Sequence, residues 1–425
     1  MAARCEGRRL LIRNSAPTTS VAGVSPAALF MDDRDPRGVQ PSVPVALYVH
    51  IPFCERKCHY CDFNSGVSKA AERQRYAEAL RREIRRTPYA GRPARSVFFG
   101  GGTPSVLPAT AIAGILDDLR DVFAFRDGLE VTVECNPGTL ASERMAGETT
   151  AGFLHGLRSA GVSRLSFGVQ AFDAELLNRL GRIHSPEEAE ESVRLAQSAG
   201  FESINVDLMF SLPGQSLEQW NATLDRALAL NVPHLSAYSL IVEQDTPFAM
   251  WDAAGKLPRP TEDDEVEMYE TVIRRLRNEG YEQYEVSAFA RPGYRCEHNL
   301  VYWRNEEYVG FGNGATSYIS GERFSREPRL EEFMALAEDD EGTTTERERL
   351  EPEGQMAETM MMGLRLADGV DRESFTRRFG FDPVEHYRDT IVRFETAGLV
   401  RVTPASVALT HRGFFMANEV WEAFV

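Results

Sequence analysis

Cys54, Cys58 and Cys61 stand in a Cys-x3-Cys-x2-Cys run, Val49-His50-Ile51-Pro52-Phe53-Cys54-Glu55-Arg56-Lys57-Cys58-His59-Tyr60-Cys61-Asp62-Phe63, directly after an apolar, strand-like segment. Three thiolates on one tight loop can hold three irons of a cubane cluster and leave the fourth iron without a protein ligand. An iron in that state is a place for a small chelating molecule. Structural zinc is the competing chemistry, but zinc takes four ligands, usually as two separated pairs. His59 is a possible fourth ligand, yet it is wedged between Cys58 and Cys61 and no second pair follows. The spacing therefore points to an open-site iron–sulfur cluster ahead of zinc. Arg56 and Lys57 either favour the ionised thiols or form a solvated basic loop.

Something must position that loop. Ser96 to Phe99 reads as a buried strand and runs into Gly100-Gly101-Gly102-Thr103-Pro104. Three glycines let backbone approach a ligand and aim N–H groups at an anion. No Gly-Lys-Ser/Thr follows, so the turn is not a P-loop. From Val45 onward, apolar β-rich runs recur at 46–51, 96–99, 129–134, 164–170, 203–210 and 234–241. Helix-like segments lie between them, at 72–86, 108–122, 174–179, 186–199 and 217–230. Single strands alternating with single helices make a parallel sheet.

Cysteine loop and glycine turn together resemble the radical SAM superfamily. The wording around them narrows the likeness: Tyr48-Val49-His50-Ile51-Pro52-Phe53-Cys54, Glu134-Cys135-Asn136-Pro137, Ser166-Phe167-Gly168-Val169-Gln170, Asn205-Val206-Asp207-Leu208-Met209 with Leu212-Pro213-Gly214, and His298-Asn299-Leu300-Val301-Tyr302-Trp303. These resemble the oxygen-independent coproporphyrinogen III oxidase family and, within it, the HemW-like haem-chaperone branch. The resemblance runs from about Val45 to the C-terminus.

It implies an α/β fold, a partial (β/α)6 TIM-like barrel of the radical SAM type, with a C-terminal winged-helix-like α+β module. The implied division is an N-terminal extension over 1–44, a barrel over 45–290, a family-specific segment and linker over 291–350, and the C-terminal module over 351–425. The implied cofactors are a [4Fe-4S] cluster on Cys54, Cys58 and Cys61, S-adenosylmethionine (SAM), and haem. Tyr48, Gly101, Gly102, Thr103, Glu134, Gln170, Arg182 and Asp207 then line the SAM site, with Tyr60 or Phe63 against its adenine. Glu134, Gln170, Asp207 and the cysteine loop are expected at strand C-terminal ends, where barrel enzymes place their chemistry. For Glu134 the alternative is an internal ion pair, because a carboxylate ending an apolar strand needs a partner.

Three readings of function compete. One is oxidase chemistry on porphyrinogen propionates, one is haem carriage, and one is a winged-helix regulator using the cluster as a sensor. Carriage is favoured because Phe63 stands where the oxidases carry a fourth Cys and because the oxidases' N-terminal segment has no counterpart in residues 1–44. The His298–Trp303 block points the same way, being associated with haem binding in the HemW-like branch. Thr316 stands where the branch often has His, which leaves His298 as the leading haem ligand or as a holder of the haem-binding loop. His50 reads as a polar plug beside the cluster, and His184 stays open. Haem-accepting proteins such as respiratory-chain components are the implied partners, and a homodimer is compatible with the pattern.

Composition bounds the rest. The chain has 425 residues, 43% of them apolar, enough for a large domain and a small one. A formal charge of −17 and the lack of a concentrated basic stripe set nucleic acid aside. No apolar run is long enough to span a membrane. Cys5, Cys135 and Cys296 are scattered, which reads as unpaired thiols in a reducing compartment. Residues 15–28 are Ala, Ser, Pro, Thr and Gly-rich and read as disordered. Arg4, Arg8, Arg9 and Arg13 suit a mitochondrial presequence, whereas Met31-Asp32-Asp33 suits the start of a cytoplasmic bacterial protein, the favoured reading. The acidic stretch 338–351 reads as a solvated linker or an exposed turn.

Overall fold

The structure is a computed structural model that describes residues 43–140, 148–339 and 342–425. The expectations for the N-terminal extension fall outside the described residues, apart from positions 43 and 44. Counting strands of three or more residues, the barrel is built from β1 (Val45–Ile51), β2 (Ala94–Gly101), β3 (Glu130–Cys135), β4 (Arg164–Gln170), β5 (Ser203–Phe210) and β6 (His234–Ser239), all parallel and adjacent in that order. Their outward residues, among them Leu47, Val49, Val97, Phe99, Val131, Val133, Leu165, Phe167, Ile204, Val206 and Leu235, share one apolar cluster with the flanking helices. Burial of those side chains, at about 25 cal/mol per Å2, is what holds helices to sheet.

Side-chain alternation along a strand sends every second residue inward. The inward set here is polar apart from Phe98 on β2 and Gly168 on β4: Tyr48 and His50 on β1, Glu134 on β3, Ser166 on β4, Asn205 and Asp207 on β5, His234, Ser236 and Tyr238 on β6. Barrels without a ligand in the lumen fill it with Val, Ile and Leu. Within otherwise buried strands, Tyr48, Phe98, Glu134, Gly168, Asp207, Ser236 and Tyr238 are each half-buried. They form a ring of partial exposure around an interior space.

The sheet continues on both sides. β8 (Tyr308–Phe311) adds a further parallel strand against β1, with Leu47 opposite Val309, and carries antiparallel β9 (Thr316–Ile319), β10 (Glu322–Arg326) and β11 (Thr344–Arg349). On the other side, β7 (Ala288–Ala290) runs antiparallel to β6 and pairs with Glu282–Gln283. These two short strands make a tight hairpin, because Tyr284 N–H bonds Ala288 O and the Glu285 carboxylate accepts from Ser287 N–H. The expected linker over 338–351 contains β11. Its charged side chains face solvent while its backbone completes the sheet edge, and Arg347 pairs with Glu322 across it. The helix Thr150–Ser159 has no counterpart in the sequence reading, since Gly152 and Gly156 weaken its pattern.

Beyond β11, helices Pro352–Gly363, Arg372–Phe379 and Arg388–Thr396 are followed by β12 (Val400–Val402) and β13 (Ser406–Leu409), with Val370–Asp371 completing a three-stranded antiparallel sheet. Met356, Leu364, Phe375, Phe394 and Val400 belong to the same apolar cluster as the barrel. Among the described residues, no helix is long and apolar enough to cross a membrane.

Candidate cluster and ligand site

Cys54, Cys58 and Cys61 are free, half-buried thiols on the loop that leaves β1. Cys54 opens the loop in a short parallel pairing, Phe53–Cys54 with Gly66–Val67, and accepts from the Thr103 hydroxyl at 3.5 Å. Cys58 accepts from the Arg182 guanidinium at 3.6 Å. Cys61 closes a turn through its N–H to Cys58 O. Burial raises Cys54 above the ordinary thiol value and pushes Cys61 up to about 11, and mutual repulsion adds to both. The sequence expectation that Arg56 and Lys57 favour the thiolates is therefore outweighed. Both cations are exposed, and Lys57 spends its ammonium on Phe63 O.

His59 does not join the thiols. Its Nδ1 bonds Arg179 O at 2.9 Å, its ring lies against Gly181, and Trp251 meets it edge-on. One of its two ring nitrogens is thus spent on backbone, which counts against the zinc reading. Among the described residues, no three His, Cys, Asp or Glu side chains are drawn together as a single ion requires. Three soft thiol donors on one loop, with no imidazole or carboxylate among them, are a donor set that fits an iron–sulfur cluster.

The glycine turn is a close-packed joint. A Cβ at Gly101, whose φ is +108°, would come within 2.5 Å of the His50 ring, and one at Gly102 within 2.7 Å of Phe53 O. Gly102 N–H bonds Ile51 O, which ties the turn to the start of the cysteine loop. His50 is buried and fully engaged, with Nε2 on Asn64 O at 2.9 Å and Nδ1 on the Tyr48 hydroxyl at 3.2 Å. It is the polar plug the sequence suggests. Gly102→Ala is expected to cost about 2 kcal/mol or more, because backbone rather than a mobile side chain must yield. Thermal denaturation with and without reconstituted cluster checks it, the loss of cluster occupancy exceeding that of a Gly342→Ala control at an exposed site with open space around it.

The opposite wall is made by Gln170, Arg182, Tyr60 and Tyr238. A bulge between Gly168 and Gln170 turns β4 at its last residue, where Gln170 has φ +72°. A left-handed non-glycine at a strand end is a strained position that packing must enforce. The Tyr238 hydroxyl does so by donating to Gln170 Oε1 at 2.9 Å. Arg182 donates to Gly168 O, while its buried Nε has no partner. Tyr60 leans on Phe248 and faces Arg182, whereas Phe63 is 61% exposed.

Glu134 and Asp207 complete the interior. Burial first, then the neighbouring Asp207 charge, pushes Glu134 from 4.5 up to about 8, against a hydrogen bond from Gly101 N–H. Asp207 is raised by burial and held down by Asn205, Ser236 and Ser166. Asp207 is a correction to the expected placement: it sits mid-strand in β5, opposite Gly168 and Ser236, and not at the strand end. Ser166 and Asn205 stand in the sequence motifs without an assigned role, and Arg164, His234, Ser236 and Tyr238 lie outside them. Their signal was there, as polar residues at alternate positions of strands that should be apolar on both faces.

His298 adjoins this space, its ring centroid 6.4 Å from that of Tyr48. It is 1% exposed, its Nδ1 is on the Ser96 hydroxyl at 2.9 Å, its Nε2 is on the Tyr302 hydroxyl at 3.0 Å, and its ring stacks on Phe98. Burial takes it down to about 3, so it is neutral. Its helix, Glu297–Trp303, is capped by the Glu130 carboxylate, which accepts the N–H groups of Glu297 and His298. His184 is buried with Nε2 on Val169 O, and Thr316 bonds Ser325.

Residues 48–227 match the pattern of the Radical SAM superfamily, and residues 350–416 match the HemN C-terminal domain. The heme chaperone HemW of Bacillus subtilis is 37% identical over 381 residues, 89% of this chain and 98% of that protein. The heme chaperone HemW of Escherichia coli is 43% identical over 282 residues, 65% of this chain and 71% of that protein. Among solved structures, the coproporphyrinogen III oxidase HemN of Escherichia coli, a radical SAM enzyme, superposes with a TM-score of 0.76 at 24% identity, covering 91% of each chain.

Proposed function

This chain belongs to the radical SAM superfamily and, within it, to the HemW family; from that premise we propose that it carries haem, holds a [4Fe-4S] cluster and SAM, and passes haem to acceptor proteins. The observation that carries the reading is the meeting of three free thiols with a polar, partly open barrel interior. Cys54, Cys58 and Cys61 would hold the cluster, which supplies a chelation site for the amino acid part of SAM and an electron. Thr103 and Arg182 hydrogen-bond thiols on opposite sides of the loop and so fix their directions. Glu134, Asp207 and Gln170 offer hydrogen-bond acceptors to the amino group or ribose hydroxyls of SAM. The Arg182 Nε, buried without a partner, leaves a donor to spare. Exposed Phe63 in place of a fourth thiol is the feature that separates carriage from the oxidase reading.

The haem test is an anaerobic titration of the reconstituted protein, run beside an assay for protoporphyrinogen with coproporphyrinogen, SAM and a reductant. Haem binding without turnover is the expected result; turnover, or no haem binding, overturns the reading. His298 enters as a holder and not as an axial ligand, because both its ring nitrogens are taken. His298→Ala strands two hydroxyls and is expected to cost on the order of 2–4 kcal/mol of stability. Haem binding should weaken with it. Lost haem absorbance shifts at unchanged thermal stability would instead make His298 a ligand.

A further inference from the structure

Below the ligand space runs a continuous hydrogen-bonded chain that the proposed function does not use. Asn205 Nδ2 donates to Asp207 Oδ1 at 2.7 Å and to Ser166 Oγ at 2.8 Å, and Ser166 Oγ donates to Asp207 Oδ2 at 3.2 Å. Asn205 Oδ1 accepts from His234 Nδ1 at 2.6 Å and from Ser236 Oγ at 3.1 Å. His234 Nε2 meets the Tyr284 hydroxyl at 2.9 Å, and that hydroxyl accepts from Cys296 N–H at 3.3 Å. His234, Tyr284, Asn205 and Cys296 are all at most 3% exposed.

The directions follow from Asp207. A carboxylate only accepts, so the Asn205 amide must turn its NH2 toward Asp207 and its oxygen toward His234. His234 therefore carries its proton on Nδ1, and its bare Nε2 takes the Tyr284 proton. Every donor points one way, from the N-cap of the Glu297–Trp303 helix to the carboxylate in the barrel interior. We infer that His234 and Tyr284 are positioning residues that fix Asp207 through Asn205, and that the same chain makes the Cys296–Trp303 segment the far end of the ligand site. The inference deepens the proposed SAM site and rests on that reading. Without the Tyr284 hydroxyl, His234 is free to move its proton to Nε2. The Asn205 amide then loses the donor that fixes it and can present oxygen to Asp207, which misplaces the carboxylate a ligand must find.

The test is SAM titration of the anaerobically reconstituted full chain, with amide hydrogen exchange of residues 297–303 measured with and without SAM. In the wild type, SAM should slow exchange in that helix. Tyr284→Phe and His234→Gln should each weaken SAM about tenfold, the effect of losing a buried hydrogen bond, and abolish the SAM-dependent protection. Tyr281→Phe is the control, for it removes an equally buried hydroxyl that donates to Val232 O outside the chain. It should leave both readouts unchanged. Equal weakening in Tyr281→Phe and Tyr284→Phe means a merely structural role and overturns the inference, as does unchanged affinity in Tyr284→Phe. Should the variants fail to fold, unprotected 297–303 amides in SAM-bound wild type overturn it alone. No SAM binding by the wild type removes the proposed SAM site first, and this inference with it.

Discussion

Alanine at Cys54, Cys58 or Cys61 is expected to leave the anaerobically reconstituted protein without the broad visible absorbance of a [4Fe-4S] cluster and with iron and sulfide near background. The effect should be all or none, since two thiolates cannot replace three around a cubane. Each thiol is held differently, Cys54 by Thr103, Cys58 by Arg182 and Cys61 by the backbone turn, so no neighbour is placed to substitute. The fold should survive. The thiols are half-buried and make only long, weak hydrogen bonds, so the cluster-free variants should unfold within about 1 kcal/mol of cluster-free wild type. Cys135→Ala supplies the contrast: that thiol is buried in the apolar cluster outside the barrel interior, and its loss should cost stability without touching iron content. Full iron and sulfide in any one loop variant would sink the assignment.

How far the residues announce this arrangement depends on whether their neighbours are near in sequence or only in space. The barrel strands are legible because each carries outward Val, Leu, Ile or Phe at alternate positions and ends at a turn, so the sequence boundaries lie within about two residues of those in β1 to β6. The cysteine loop and glycine turn are legible as patterns, and their meeting follows from parallel neighbours β1 and β2. What hides is inward polarity. Asn205, His234 and Ser236 acquire meaning only once Tyr284, far along the chain, reaches His234 from the β7 hairpin. The surroundings of His298 hide for the same reason. An imidazole in a distinctive motif suggests a metal, but its nitrogens are consumed by Ser96 and Tyr302, and Ser96 is remote in sequence. β11 hides because its side chains are polar or charged throughout, and only the edge of β10 makes it a strand.

Glu134→Gln is expected to raise the stability of the ligand-free protein as pH increases while weakening SAM. In the folded chain Glu134 holds its proton up to about pH 8, whereas in the unfolded chain it loses it near 4.5. Between those values the folded state binds more protons, so wild-type stability falls as pH rises. Discounting for its partial exposure, the fall is on the order of 2 kcal/mol by pH 7.5. Glutamine has no proton to lose, so the variant should match the wild type near pH 5 and exceed it by a few degrees in Tm near pH 7.5. Asp207→Asn should flatten the same slope only in part, because burial outranks the Asp207 charge as the cause. Ligand binding reverses the preference. A positive charge brought against Glu134 ionises it, so SAM docked with its amino group or sulfonium there should release about one proton near neutral pH, and Glu134→Gln should release none. Calorimetry in two buffers of different ionisation heat counts that proton directly. Loss of the charge-assisted contact should weaken SAM by on the order of 1–3 kcal/mol. If the wild type binds SAM without releasing a proton but Glu134→Gln still weakens it, the carboxyl faces the ribose hydroxyls instead. If both Glu134→Gln and Asp207→Asn bind SAM as the wild type does, neither carboxylate belongs to the ligand site, and the polar barrel interior serves some other molecule.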